Sequence, residues 1–186
     1  KAMAGLPLPG VSMRVVDKDY KIVNSNETGE LLYKGPGLMI GYANLLDGSS
    51  GINDDGWFAT GDLATMNDDG YINIVGRSKE MIIRGGENLY PIEIENYLLE
   101  HPGIFEAAVF GLPDPKYEEE CCAVVRVDST QLDNPEQLRE WCKDRISRWK
   151  IPKYIFFTDS FPITPSGKIQ KYKLQEQYIE QLAIKI

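Results

Sequence analysis

Four short segments hold the residue types that can bind and act on a phosphorylated sugar. They are Trp57-Phe58-Ala59-Thr60-Gly61-Asp62, Gly76-Arg77-Ser78-Lys79-Glu80, Gly85-Gly86-Glu87-Asn88 and Pro162-Ile163-Thr164-Pro165-Ser166-Gly167-Lys168-Ile169. A carboxylate such as Asp62 can accept from two ribose hydroxyls, while Arg77 and Lys168 answer phosphate charge, one with a planar fork and the other with a compact ammonium. Each segment alone has a plain structural reading. Thr60-Gly61-Asp62 can be a turn, Gly85-Gly86 a two-residue hairpin loop, Arg77 and Lys79 solvated charges, and Lys168 a surface lysine beside a glycine turn. Only their combination suggests a site.

Other phosphate and catalytic templates fail on spacing. Ser166-Gly167-Lys168-Ile169 resembles the tail of a P-loop, but the earlier glycine would fall at Pro162 and the magnesium-binding hydroxyl at Ile169. Gly35-Pro36-Gly37 continues to Gly41 with no helical pattern behind it, so no dinucleotide fingerprint is present. One histidine and the adjacent Cys121 and Cys122 offer no tetrahedral ligand spacing, so no metal site is expected. His101 reads as a helix-end residue, where the dipole favours a cation. No Gly-x-Ser-x-Gly elbow supports a hydrolase triad.

The elements that would position these residues change character near residue 76. Before it, β-rich runs at Ser12–Val16, Glu30–Tyr33 and Tyr71–Val75 are separated by Asp47-Gly48, Asp55-Gly56 and Asp69-Gly70 turns, with no helical period. Residues 1–76 therefore read as a β-rich, barrel-like subdomain. Residues 77–80, a charged Arg-Ser-Lys-Glu run, read as the boundary, and 81–186 as a small α+β domain. Its helices are expected to start at Pro91 and at Asn134-Pro135, with a third carrying Leu174, Tyr178 and Leu182. Leu138, Trp141, Cys142, Ile146 and Trp149 form the second helix's apolar stripe, which favours a core position for Trp149. Strands are expected at Met81–Arg84, Ala107–Phe110, Ala123–Val127 and Tyr154–Phe157.

Composition narrows the partners. At 186 residues with 42% hydrophobic and 26% charged, the chain has ordinary globular composition. Its 28 acidic against 20 basic residues give a charge of −8, which opposes nucleic-acid and anionic-membrane binding. No apolar run reaches the length of a membrane span. Three cysteines without a CxxC pair fit a reducing compartment. The start at Lys1, with neither initiator Met nor leader, suggests a piece of a longer polypeptide.

The order W-F-A-T-G-D, G-R-S-K-E-M-I-I-R-G-G-E-N-L-Y-P-I-E-I-E, K-I-P-K-Y and P-I-T-P-S-G-K-I resembles the adenylate-forming superfamily, specifically the acyl-CoA synthetases. The resemblance covers the whole chain and is strongest from Gly29 to Ile169. Within the family, G-R-S-K-E-M-I-I-R-G-G-E-N-L-Y-P and S-G-K-I-Q-K are most similar to the medium-chain family member 2 type, which is mitochondrial; a cytoplasmic location is the alternative.

The resemblance implies that a fatty acid is activated by Mg-ATP to acyl-AMP and passed to CoA. It implies that Asp62 holds the ribose hydroxyls, that Arg77 contacts the ribose, that Lys168 is the catalytic lysine of adenylation and that Lys79 is a hinge. After rotation about that hinge the Gly85-Gly86 loop, with Glu87, takes the place of Lys168 and borders the CoA channel, where Arg148, Trp149 and Lys150 are further candidates. The family's large N-terminal domain, with its phosphate loop, Mg2+ site and acyl pocket, is not within these residues, so this chain alone is expected not to make acyl-AMP. The competing readings are a binding module that engages nucleotide or protein, and another adenylating ligase such as a 4-coumarate-type enzyme.

Overall fold

The computed structural model describes residues 4–41 and 51–184, and the chain divides into two compact units, Lys1–Lys79 and Glu80–Ile186. The expected Asp47-Gly48 turn lies outside the described residues.

In the first unit β1 (Ser12–Val16), β2 (Gly29–Lys34), β3 (Phe58–Met66) and β4 (Ile72–Arg77) form one antiparallel sheet in chain order. The barrel-like expectation resolves to an open meander, since no ladder joins β1 to β4 among the described residues. Four strands are too few to close around a filled interior, for which about eight are usual. Period-2 alternation sorts the side chains: Val15, Leu31, Ala64 and Ile72 pack on one face, Val16, Leu32 and Trp57 on the other. The guanidinium of Arg14 lies 4.3 Å from the Trp57 ring centroid and covers it. The loop at Asp69-Gly70 does turn the chain from β3 to β4: Gly70, with φ +82°, donates to the Asn67 carbonyl.

The second unit is α+β. Its sheet runs β6 (Glu87–Leu89), β5 (Ile82–Arg84), β8 (Glu118–Val127), β7 (Ile104–Asp114), and β9 (Tyr154–Phe157) pairs with β8 in parallel. Helices α1 (Pro91–Leu98) and α2 (Pro135–Cys142) share a core with one face, through Ile94, Leu98, Leu138 and Cys142 against Val109, Cys121, Ala123 and Val125. Helix α3 (Lys171–Gln181) covers the other, setting Leu174 and Tyr178 against Ala108, Phe110, Cys122 and Val124. Burial on both faces explains why Cys121 to Val125 is continuously apolar. It also places the two adjacent cysteines on opposite faces, where they cannot bond to each other. All three cysteines are free and buried, and burial pushes the thiols up, Cys121 to about 12 and Cys142 to about 11.

The helix starts follow the expected signals. Asn134 caps α2 by accepting from the Gln137 N–H at 3.1 Å, and Pro91 and Pro135 occupy first-turn positions. Two readings need correction. Helix α2 stops at Cys142, because Lys143 is extended and Asp144 takes φ +62°. Trp149 therefore sits on a separate 3-10 turn, Arg148–Lys150, and is 44% exposed rather than in the core. His101 is not a helix-end cation either. Its Nδ1 accepts the Gly103 N–H at 3.0 Å, and burial followed by nearby Arg145 lowers its pKa, so the neutral ring is favoured.

Candidate functional site

In the first unit, Thr60-Gly61-Asp62 is a bulge within β3 and not a chain-reversing turn. Between the pairs Leu32↔Ala59 and Glu30↔Leu63, three residues of β3 stand opposite Leu31 alone. The Thr60 hydroxyl donates to the Leu31 carbonyl at 2.8 Å and accepts the Asp62 N–H at 3.1 Å, while Gly61 takes φ +73°. Asp62 pairs in register with Arg77 on β4, and Arg77 Nε reaches Asp62 Oδ1 at 2.8 Å. The carboxylate is 28% exposed and the guanidinium 56%, so both present polar atoms to solvent beside their mutual contact. Such a pair can offer an acceptor to sugar hydroxyls and donors to an adjacent oxygen. Lys79 is exposed in a 3-10 turn, Ser78–Glu80, and has no ion-pair partner among the described residues.

In the second unit, Gly85 and Gly86 form the two-residue loop joining β5 to β6, with Arg84 opposite Glu87 and φ values of +58° and +85°. Both residues need the left-handed region, as a type I′ hairpin turn demands. The Gly85 N–H donates to the Tyr117 carbonyl at 2.8 Å, and a Cβ on Gly85 would lie 3.1 Å from the Tyr117 ring. Tyr117 and Trp149 meet edge to face at 5.8 Å, and Arg84 lies 5.2 Å from the centroid of the Trp149 ring while donating to the Trp149 carbonyl at 2.6 Å. The structure thus brings Gly85, Gly86 and Trp149 together, with an exposed aromatic edge beside bare backbone. An exposed aromatic edge of this kind can pack on a flat ring, and glycine backbone admits the close approach of a narrow chain. Glu87 is exposed at the start of β6. Lys150 is tied to Glu93 at 2.6 Å, whereas Arg148 is exposed.

Lys168 stands on a separate hairpin closed by the Ile163↔Ile169 bridge. The Thr164 N–H donates to the Lys168 carbonyl at 2.8 Å, and the Gly167 N–H to the Thr164 carbonyl at 2.9 Å, with Gly167 at φ +82°. The Lys168 N–H donates to the Thr164 hydroxyl at 3.0 Å. Every backbone tie holds the turn, while the ammonium is exposed and has no ion-pair partner among the described residues. A lysine so presented is available to an anion.

Three participants escaped sequence reading. Tyr117 follows the Asp114-Pro115 turn and becomes visible only when the β7–β8 hairpin folds it onto Gly85. Glu120 is 2% exposed, with Oε2 2.7 Å from Arg84 Nε and Oε1 3.6 Å from Lys153. In the sequence it is the last of the run Glu118-Glu119-Glu120, and its place directly before the apolar Cys121–Val125 stretch was the available signal. Lys171 contacts Glu80 and Glu95 across long sequence separations that no local pattern encodes. Among the described residues no group of three potential metal ligands occurs, and no helix is long and apolar enough to cross a membrane.

Residues 93–168 match the AMP-binding enzyme C-terminal domain. Over 95% of its length the chain is 46% identical to the Bacillus subtilis protein YngI. It is 42% identical, over 97% of its length, to the mitochondrial medium-chain acyl-CoA ligase ACSF2 of Mus musculus. Among solved structures, ATP-bound MatB from Rhodopseudomonas palustris superposes with a TM-score of 0.88 at 36% identity over 95% of the chain. In each case the chain spans about a third of the longer protein: 32%, 30% and 35% respectively.

Proposed function

The chain belongs to the adenylate-forming enzymes through its AMP-binding C-terminal domain, and we propose that it is the C-terminal part of an ATP-dependent acid–CoA ligase. In the first half-reaction a fatty acid carboxylate oxygen bonds to the α-phosphorus of ATP as the bond to the bridging oxygen breaks, giving acyl-AMP and pyrophosphate. In the second the CoA sulfur attacks the acyl carbonyl, AMP leaves with the bonding pair, and the thiol proton passes to solvent.

The observation that carries this reading is Lys168: an exposed ammonium without an ion-pair partner among the described residues, on a turn fixed by its own backbone bonds. A cation delivered to the reacting phosphate by a preformed turn stabilises the charge that develops in line, and losing one such positioned donor costs roughly 10²–10³-fold. Asp62 and Arg77 hold the ribose, with the bulge at Thr60–Asp62 aiming the carboxylate. Lys79 is the hinge. The Gly85-Gly86 turn, with Glu87 and Trp149, borders the CoA arm in the second half-reaction, when Lys168 has been withdrawn. Alternation of this kind separates two chemistries that need different groups at one site. Mg2+ accompanies ATP and is held by residues outside this chain.

A medium-chain acid and a mitochondrial location are the finer parts of the proposal, supported by the similarity to ACSF2; YngI comes from Bacillus subtilis, which has no mitochondrion, and gives that location no support. The test is acid-dependent pyrophosphate release by the full-length ligase over graded chain lengths, beside Lys168→Ala. Loss of release by about 10²–10³-fold, with conversion of supplied acyl-AMP to thioester retained, is the expected result. Undiminished release by the variant would remove Lys168 from the mechanism. Absence of release with every acid would favour a binding module.

A further inference from the structure

Lys171 is the first residue of α3, where the helix dipole disfavours a cation, and Gln170 before it supplies no side-chain cap. Its position there is explained by what its ammonium holds: Glu80 Oε2 at 2.9 Å and Glu95 Oε1 at 2.7 Å. Glu95, on α1, also accepts the Val109 N–H of β7 at 2.8 Å. The three side chains are 21%, 42% and 14% exposed for Lys171, Glu80 and Glu95, so the lysine is largely withdrawn from water. Burial by itself would lower its pKa, but Glu95 and Glu80 outweigh that and raise it, so the charge persists.

The bonds continue from Lys171 to Lys168. Gln170 donates its N–H to the Pro162 carbonyl at 2.8 Å, and the Ile163↔Ile169 bridge closes the hairpin that bears Lys168. Glu80 is the first residue of the second unit and directly follows Lys79. We propose that Lys171 is a positioning residue: by clamping Glu80 and Glu95 it fixes the Lys168 hairpin to the residue that follows the hinge, so that the hairpin turns with the linker as one body. This rests on the ligase reading for its catalytic meaning. It assigns Lys171 no contact with substrate.

The experiment uses the full-length ligase with Lys171→Met, Lys171→Arg, Glu80→Gln and the Lys171→Met/Glu80→Gln double variant. Both half-reactions, thermal melting and amide hydrogen exchange are measured for each. Lys171→Met is expected to lower acyl-AMP formation about 10- to 100-fold with less than about threefold change in thioester formation from supplied acyl-AMP, because only the first step needs Lys168 in place. Lys171→Arg restores most of the loss, and the double variant is no worse than Lys171→Met, as for two members of one interaction. Amides of Thr164, Gly167 and Lys168 exchange faster in Lys171→Met, while those bonded within the β7–β8 ladder do not. Equal loss in both half-reactions, unchanged exchange in the hairpin, or additive single variants would overturn the proposal. If Lys171→Met does not fold, Glu80→Gln and Lys171→Arg decide by the same two comparisons. If the unmodified ligase releases no pyrophosphate, the functional reading fails, and the exchange measurement still tests the clamp by itself.

Discussion

Truncating Glu120 to alanine is expected to destabilise the second unit by leaving Arg84 short of its counter-charge. Glu120 is 2% exposed and its Oε2 lies 2.7 Å from Arg84 Nε, yet neither atom has a hydrogen-bond partner, so the contact is charge against charge without a directed bond. Breaking a buried pair costs about 3–5 kcal/mol when the remaining charge is stranded. Two features reduce that figure here. Arg84 keeps the Trp149 carbonyl at 2.6 Å, and Lys153, 41% exposed, keeps Asp114 at 2.9 Å. About 2–3 kcal/mol remains, which for a domain of this size lowers the melting temperature by about 10–20 °C. The assay is thermal and urea unfolding of Glu120→Ala, Glu120→Gln and the Glu120→Leu/Arg84→Leu double variant. Glu120→Gln should lose less, because the amide oxygen still accepts. The double variant should recover much of the loss, since well-packed apolar replacements of a buried pair are often neutral or better. A shift below about 3 °C for Glu120→Ala would refute the stabilising role assigned to the pair. A double variant as weak as Glu120→Ala would assign the loss to packing.

The hairpin and the histidine give two further outcomes. Gly85→Ala should cost about 1–2 kcal/mol, since the left-handed φ of +58° is combined with a Cβ 3.1 Å from a Tyr117 ring backed by Trp149. Gly86→Asn should cost less, about 0.5–1 kcal/mol, because nothing lies within 4 Å of the added Cβ and only the strain of a side chain at φ +85° remains; urea titrations that reverse this order would contradict the turn geometry. His101 has its pKa below the ordinary 6.5 in the folded chain, so the unfolded chain binds the extra proton first. Its contribution to stability is therefore complete above the unfolded value of about 6.5 and is lost as pH falls below it and through the lower folded-state value. His101→Gln should flatten this dependence on the acid side of about pH 6.5, and an unchanged slope would assign it to other groups.

Local chemistry was legible where one residue decides the backbone. Asn134-Pro135 and Pro91 start helices because a capping amide and a missing N–H act at once on the first turn, and Tyr154–Phe157 is a strand with the expected bounds. Strands β7 and β8 extend further than Ala107–Phe110 and Ala123–Val127 because Pro113 and the run Glu118-Glu119-Glu120 break the apolar pattern without breaking the ladder. Pro113 is tolerated because β7 lies at the sheet edge and has β8 as its ladder partner. The short β6 has no apolar alternation of its own, and only the reading of Gly85-Gly86 as a two-residue hairpin loop points to it. Trp149 continues the helical spacing of the apolar stripe but lies outside the helix, because the chain leaves helical conformation at Lys143 and Asp144. The Asp62–Arg77 contact follows from the β3–β4 register, whereas Tyr117, Glu120 and Lys171 depend on pairings between distant segments.

In a chain with 28 acidic and 20 basic residues, an exposed cation has many carboxylates to choose from, and most cations near the candidate site have found one. Arg77 takes Asp62, Arg84 takes Glu120, Lys150 takes Glu93, and Lys171 takes both Glu80 and Glu95. Lys168, three residues before Lys171, is spared by its own turn. The preceding Thr164-Pro165-Ser166-Gly167 carries no acid, and the Thr164 and Ser166 hydroxyls bond to each other at 2.9 Å. The Thr164 oxygen is further occupied by the Lys168 N–H, so local acceptors are committed to the backbone or to one another. An ammonium left in that position retains its capacity for an incoming anion, while its neighbour's charge is spent on holding the turn in place. The division of labour between these two lysines, one committed to carboxylates and one withheld from them, is what makes Lys168 chemically available in an otherwise acidic chain.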